Sequence, residues 1–341
     1  MTICTVVTKS HLAGARVLAR SIKAVHPDAE VYALLADRVD ACFDPDAEPF
    51  HTVLLEQLNA DQAIAEMSFY YNAFEFCNAV RPLMHQYLWQ HTAAPAWIYL
   101  DSDIFVTGDL SDIFQSLAGA SVLLNPHNTS PASAEFFLTT ELAELQVGIF
   151  NSGFVGVRRC DEAKAFINWF RSRLRRFCFH DGAGMFVDQM WLMHVPQYFR
   201  DVLIYTNPGA NVAHWNLYKR SLARAPDGAS SRYLADGKPL MFVHFSGWDF
   251  ADPLNISRFA PAYQKLALPQ MDVWNELAQR YRDELLTSGI ETCRTWPYAF
   301  DRFDDGTPVT LAMRRKYFGE VVAGKSAPAS PFSRPGDFSN A

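Results

Sequence analysis

The chain has 341 residues, of which 49% are hydrophobic, 14% aromatic and 20% charged, with a formal net charge of −7. This is the composition of a globular protein long enough to bury a sizeable core, and the acidic balance gives no global electrostatic case for a nucleic-acid partner. Six scattered cysteines with no CxxC pair argue against a disulfide framework or structural zinc, so reduced thiols in a cytoplasmic protein are expected.

In chain order, "ICTVVT" (Ile3 to Thr8) is a β-branched run of strand length. A helix from Ala13 to Val25 follows, ended by His26-Pro27-Asp28, and "EVYALLAD" (Glu30 to Asp37) reads as the second strand. Strand, helix and strand at short intervals predict an α/β fold with a mainly parallel sheet flanked by helices. Asp61 to Gln90 reads as largely helical with a break at Pro82. Strands are expected at Trp97–Leu100, Ser121–Asn125, Gly153–Arg159, Leu203–Pro208 and Leu240–Phe245. Helices are expected at Asp161–Phe177 with Asp161 as N-cap, from Asp188 to His194, and at Asp272–Leu286. Domain organisation is read as a catalytic unit at 1–250, a helical C-terminal extension at 251–322 packed on it, and a disordered tail at 323–341, where Ser, Pro, Ala and Gly dominate. No run of 18 apolar residues exists to span a membrane.

Four motifs carry chemistry. In "YLDSDIFV" an apolar strand runs into Asp101 and Asp103, at the sheet edge where α/β folds bind ligands, and two carboxylates there would hold a hard divalent cation. The plainer alternative is one turn-capping and one solvated aspartate. In "MFVHFSGWDF" a strand ends in His244, a third ligand candidate, and a mixed carboxylate and imidazole set suits Mn²⁺ better than Mg²⁺. The following Ser246-Gly247 turn lets backbone approach a phosphate. "GIFNSGFVGVRR" offers Asn151, Ser152 and Gly153 for sugar hydroxyls, or an ordinary turn. In "FVDQMWL" an adjacent acid and amide, Asp188 and Gln189, open a helix, with a plain N-cap as the alternative.

Taken in this order, "YLDSDIFV", "GIFNSGFVGV", "VDQMWL" and "FVHFSGW" resemble GT-A glycosyltransferases, most closely the family 8-like group that includes glycogenin and bacterial lipopolysaccharide galactosyltransferases. The resemblance covers roughly Thr2 to Trp248 and extends to "EFCNAVRPLMHQYL" and "NVAHWNLYKR". It implies a Rossmann-like GT-A fold and retaining transfer from a nucleotide sugar, a UDP-sugar in first place, to a carbohydrate, lipid-linked or glycoconjugate hydroxyl in bacterial polysaccharide, lipopolysaccharide or glycoconjugate synthesis. Carried over by motif, Asp101, Asp103 and His244 become the set for Mn²⁺ or Mg²⁺. Thr8 and Asp37 would line the nucleotide pocket, Arg81 would contact the donor, Asn151 and Asp188 would bind donor sugar hydroxyls, and Gln189 would lie near the anomeric carbon.

Two positions depart from the family pattern. Its Lys-Pro-Trp after the His-Phe-x-Gly segment is replaced by "HFSGWDFADP", which leaves Lys219, Arg220 and Arg258 as candidate cations, and Lys9 stands where an Asp is usual. Other function classes weighed are a haloacid-dehalogenase-like phosphohydrolase with Asp101 as nucleophile, and a sugar-binding homologue without turnover. The former usually carries its DxD near the N-terminus, with Thr or Val where this chain has Phe105. Finally, Lys164, Arg171, Arg173, Arg175 and Arg176 interleave with aromatics in one helix, which could lie on anionic lipid or simply pack its apolar side on the sheet.

Overall fold

A computed structural model of the chain describes residues 1–131, 135–181, 184–227, 231–259, 271–325 and 331–333. The order opens β1 (Thr2–Val7), α1 (Leu12–Val25), β2 (Glu30–Leu35), β3 (His51–Leu54), α2 (Asp61–Tyr70), α3 (Ala73–Ala79) and α4 (Arg81–His91). It continues β4 (Ala96–Leu100), β5 (Ile104–Val106), α5 (Ser111–Leu117), β6 (Val122–Pro126), α6 (Glu135–Val147), β7 (Phe150–Arg158), α7 (Asp161–Leu174), α8 (Val195–Tyr198) and β8 (Val202–Ile204). Strands β9 (Leu222–Arg224), β10 (Tyr233–Ala235), β11 (Lys238–Pro239) and β12 (Phe242–His244) precede α9 (Met271–Thr287), α10 (Ile290–Cys293) and α11 (Leu311–Val322).

The central sheet runs β3-β2-β1-β4-β7-β6-β8. Pairing is parallel throughout except that β7 lies antiparallel to both β4 and β6, so the sheet is mixed and mainly parallel. Every residue of β1 is buried, as expected of a strand covered on both faces, and the two apolar cores lie on opposite sides of the sheet. On one side α1 buries Leu12, Ala15, Leu18, Ala19 and Ile22, and α9 packs Trp274, Leu277 and Tyr281 into the same core. Gly14 of α1 sits so close to the turn after β4 that an added Cβ would lie 2.7 Å from the Ser102 carbonyl oxygen. On the other side α11 docks on α2, with the buried Arg314 donating to the carbonyls of Ser68, Phe69 and Tyr71 that α2 leaves unsatisfied at its end.

Three expectations are corrected. The region from Asp61 to Gln90 is three helices: the expected break falls beside Pro82, at Val80, and a second, unexpected one divides the segment before it. The chain leaves helix at Tyr71-Asn72, where an Asn72–Glu75 capping box restarts it, and Pro82 sits in the first turn of α4, where the missing N–H costs nothing. Asp161 is not an N-cap: Cys160 holds that position without a side-chain bond, and Asp161 lies in the first turn, where a carboxylate complements the helix dipole. Within the expected tail, Pro331–Ser333 form a 3-10 turn with Phe332 buried against Phe69 and Phe300, because one large aromatic in a polar segment finds an open slot in the α2–α11 core. The rest of that tail beyond Lys325 lies outside the described residues.

Candidate active site

The site forms where β4 ends. Asp101 donates its backbone N–H to the Gly153 carbonyl (2.9 Å), and Ile104 closes the turn onto the Asp101 carbonyl (3.1 Å), so both carboxylates project from the sheet edge. Strand β12 pairs antiparallel with β5 in a register that sets His244 opposite Ile104, bringing it beside the pair. His244 Nε2 lies 3.0 Å from Asp103 Oδ1 and 3.9 Å from Asp101 Oδ2, and one ligand atom from each of the three residues falls within 4.8 Å of the others. His244 is buried, whereas the Asp103 side chain is 41% exposed, so the cluster opens outward through Asp103. The other ring nitrogen, Nδ1, meets Asn211 Oδ1 at 3.1 Å, an acceptor that favours the proton there and leaves the Nε2 lone pair aimed at the carboxylates. Gly153 of β7 makes this proximity possible: an added Cβ would lie 2.5 Å from Asp101 Oδ2 and 2.6 Å from His244 Cε1.

Behind the triad stands Arg81 at the start of α4. Its guanidinium donates to Asp101 Oδ1 (2.6 Å), Asp188 Oδ2 (2.8 Å) and Ser152 Oγ (2.9 Å), and lies over the Tyr99 ring at 4.5 Å. Tyr99 OH also donates to Asp101 Oδ1 (2.7 Å). Burial works against charge on the guanidinium, but Asp101 and Asp188 outweigh it and hold Arg81 protonated more firmly than usual. Asp188 has the opposite balance, its pKa raised by burial despite Arg81. One of its oxygens, Oδ1, has no hydrogen-bond donor among the described residues. Burial also opposes ionisation of His244 and Asp103, yet their mutual attraction raises the pKa of the first and lowers that of the second.

The structure brings Asn151 and Gln189 to the same wall. Strand β7 starts earlier than expected, so Asn151 and Ser152 are strand residues rather than a turn. Asn151 Oδ1 accepts from Asn211 (3.1 Å), and Gln189 bridges from the Val147 carbonyl (2.9 Å) to the Ser152 backbone N–H (3.1 Å). The segment from Gln189 is 3-10 rather than α-helical, and Asp188 makes no side-chain cap. Its carboxylate is taken by Arg81 instead.

At the β1 and β2 ends, the polar groups are turned on one another. Thr8 Oγ1 meets Ser10 Oγ and His11 Nδ1, each at 3.0 Å. Asp37 accepts backbone N–H bonds from Arg38 (2.9 Å), Ala299 (3.0 Å) and Lys9 (3.4 Å), and burial raises its pKa. The fully buried Lys9 pairs with Asp40. Gly247, at φ 69°, turns the chain after Ser246, whose carbonyl accepts from Ser257 Oγ (2.8 Å). Of the candidate cations, Lys219 donates to the Ser130 carbonyl and Arg220 pairs with Asp236 at 3.3 Å. The exposed Arg258 lies over the Phe259 ring and meets no acid within salt-bridge distance among the described residues.

Ser152 joins the site as expected, whereas Tyr99, His127, Asn211 and Trp215 join it without having been given a role from sequence. Strand alternation puts Tyr99 on the face of Asp101. Asn211 and Trp215 fall within "NVAHWNLYKR", a stretch the family resemblance reaches without assigning roles, and His127 carries no local signal. His127 packs against the Trp215 ring (5.0 Å), burial pushes its pKa down to about 4, and Trp215 in turn meets the His244 ring at 5.1 Å.

No family model matches the chain. Among solved structures, the galactosyltransferase LgtC, determined in complex with donor and acceptor sugar analogs, superposes with a TM-score of 0.51 at 16% identity, covering 84% of this chain and 96% of LgtC. This likeness shows a GT-A glycosyltransferase fold. Among curated sequences, the uncharacterized protein YfnD of Bacillus subtilis (strain 168) is 29% identical over 181 residues, 48% of this chain and 54% of YfnD. The uncharacterized protein YfnF of the same organism is 30% identical over 258 residues, 72% of this chain and 80% of YfnF. Identity and coverage together place the chain in the family of YfnF, on a GT-A scaffold.

Proposed function

We propose that this protein is a metal-dependent glycosyltransferase, moving a sugar from a nucleotide-sugar donor, a UDP-sugar in first place, to an acceptor hydroxyl with retention of configuration. The acceptor would be a carbohydrate, lipid-linked or glycoconjugate hydroxyl of bacterial polysaccharide, lipopolysaccharide or glycoconjugate synthesis. The observation that carries this reading is the Asp101, Asp103 and His244 triad at the ligand-binding edge of a GT-A sheet. Two carboxylate oxygens and a neutral-capable imidazole nitrogen fit Mn²⁺, or Mg²⁺ less well, and Asn211 already holds His244 with Nε2 toward the carboxylates. A cation bound there would offset the charge that develops on the departing diphosphate.

The chain's own residues do the rest of the work in this reading. Arg81 fixes the Asp101 and Asp188 carboxylates in place. Asp188 Oδ1, with no donor among the described residues, is an acceptor for a sugar hydroxyl, and Asn151 and Gln189, on the same wall, complete it. Arg258 is the cation we assign to the diphosphate, Thr8 lines the nucleoside side, and Asp37 shapes that side from behind through its bonds to the Lys9, Arg38 and Ala299 backbone.

The test is a thermal-shift screen of UDP-, GDP- and dTDP-sugars with and without Mn²⁺, followed by product analysis. A UDP-sugar with Mn²⁺ should raise Tm most, since ligand at 100 times its Kd stabilises by about 2.7 kcal/mol. A metal-independent shift that survives Asp103→Ala would sink the metal assignment. Absence of transfer or donor hydrolysis across the panel would favour a sugar-binding role. Gly153→Ala should mimic Asp103→Ala in this screen by pressing on Asp101 and His244.

A further inference from the structure

Helix α7 was read as a basic helix with two alternatives, and the structure divides it. Phe166, Ile167, Phe170 and Leu174 are buried in the core. Three of its cations are engaged on the α2 and α4 side: Arg171 donates to Gln86 (3.0 Å), Arg175 pairs with Glu66 (3.0 Å), and Lys164 lies 5.9 Å from the Trp89 ring. What remains is Trp169 and Arg173, four residues apart on one helix face, with Arg176 in the turn that follows the helix, its N–H bonded to the Arg173 carbonyl (3.1 Å).

That pair joins a second set of rings. Trp169 meets Trp191 at 6.2 Å and Tyr198 at 5.8 Å, His194 stacks on Tyr198 at 5.1 Å, and Arg173 lies over Trp169 at 5.9 Å. Trp191 Nε1 donates to the Phe177 carbonyl (2.7 Å), tying the end of α7 to the same face. Tyr198 is 56% exposed and Phe177, past the end of α7, 48% exposed, and Arg200, two residues after Tyr198, has its side chain 87% exposed and loosely paired with Glu162 at 3.4 Å. A chain of net charge −7 thus presents Trp, Tyr, Phe and Arg side chains along α7 and the segment packed on it. These are the side chains that settle at a lipid–water interface, rings at headgroup depth and guanidinium groups against phosphates. The face belongs to the sugar pocket's own segment, since Trp191 closes its turn on the Asp188 carbonyl (3.1 Å).

We propose that this face docks the protein onto an anionic membrane surface. Its use, to bring the pocket to a lipid-linked acceptor, rests on the glycosyltransferase reading; the docking itself does not. Among the described residues no helix is long and apolar enough to cross a membrane.

The test is flotation of the full chain with vesicles of phosphatidylcholine alone and of phosphatidylcholine mixed with phosphatidylglycerol. The protein should float with the mixed vesicles, not with phosphatidylcholine alone, and should release as salt shortens the Debye length. Each cation near an anionic surface is worth about fivefold in affinity, so Arg173→Gln with Arg176→Gln should weaken binding about 25-fold. Tyr198→Ser should weaken it by a smaller factor. Circular dichroism and soluble-donor hydrolysis should be unchanged in all of these variants. No flotation with mixed vesicles, equal flotation with both, or an Arg173→Gln/Arg176→Gln protein that floats like the parent would overturn the proposal. Self-association abolished by the same substitutions, without vesicle binding, would make the face a protein interface and equally overturn it. If vesicles bind but no nucleotide sugar does, the donor reading falls and the docking face stands.

Discussion

Two ends of the same sheet edge, both rich in polar residues, are built on opposite plans. At the β1 and β2 ends, Asp37 is occupied by three backbone N–H groups and Lys9 by Asp40. At the β4, β7 and β12 ends, charges are packed as densely but left incomplete: among the described residues Asp188 Oδ1 has no donor and the Asp103 carboxylate pairs only with His244, while Arg81 braces Asp101 and Asp188 from behind. The difference separates polar residues that tie the chain together from those with bonding capacity left for something else. A buried polar atom without a partner costs about 1–3 kcal/mol, so such atoms are informative where they cluster.

Five changes would break or sharpen this contrast. The largest effect should come from Asp103→Ala, which removes one of three ligand groups and should lower metal-dependent donor turnover on the order of 10³-fold, read from initial rates with Mn²⁺. Unfolding by urea should change little, because Asp103 is partly exposed.

Next is Arg81→Met. It strands two carboxylates in a buried place and should cost about 3–5 kcal/mol in urea unfolding. Lys9→Met, at the other end, should cost less than about 1 kcal/mol, since its partner Asp40 is 42% exposed and can hydrate. Equal costs would erase the contrast.

Asp37→Asn should lose about 1–3 kcal/mol of stability by weakening bonds to three backbone donors, while UDP-sugar affinity measured by calorimetry stays within about twofold. A drop in affinity with unchanged stability would instead make Asp37 a direct donor contact.

The smallest effect concerns acid. His85 accepts from Trp97 Nε1 (2.9 Å) beneath the Arg81 cluster, and burial pushes its pKa down to about 3. The unfolded chain takes up that proton near pH 6.5 and the folded chain does not, so its contribution is fully present above pH 6.5 and is lost as pH falls toward 3. The slope is about 1.4 kcal/mol per pH unit. Denaturant melts at pH 7 and pH 5 should show it, and His85→Gln should remove its share of the slope, leaving that of His127 and His214, which burial also holds low.

The α/β class, the DxD at a strand end and the amphipathic α9 were legible because each is a local pattern: β-branched runs, a strand feeding carboxylates, and 3.6-residue periodicity. Arg81 as a brace was not legible, because its partner Asp188 lies 107 residues away in sequence and nothing local to "NAVRP" or "FVDQMWL" announces the pairing. For the same reason the residues around Asp188 left a plain N-cap open beside the sugar-binding role, and Phe332 read as part of a tail. Gly153 was visible as a glycine, but its reason, a side chain's worth of space taken by Asp101 and His244, exists only once β4, β7 and β12 are assembled.

By itself the sequence determined the main strands and helices, β1, α1, β2, β4, β7, α7 and α9 among them, and that acidic, amide and imidazole groups fall at their ends, since those follow from side-chain spacing along a chain of fixed geometry. Tertiary structure alone decided which of those groups are used up and which are left open. Hydrogen-bond saturation and desolvation depend on neighbours from distant segments, and Asp37 and Asp188, alike in sequence as acids at element ends, differ only in what folds against them.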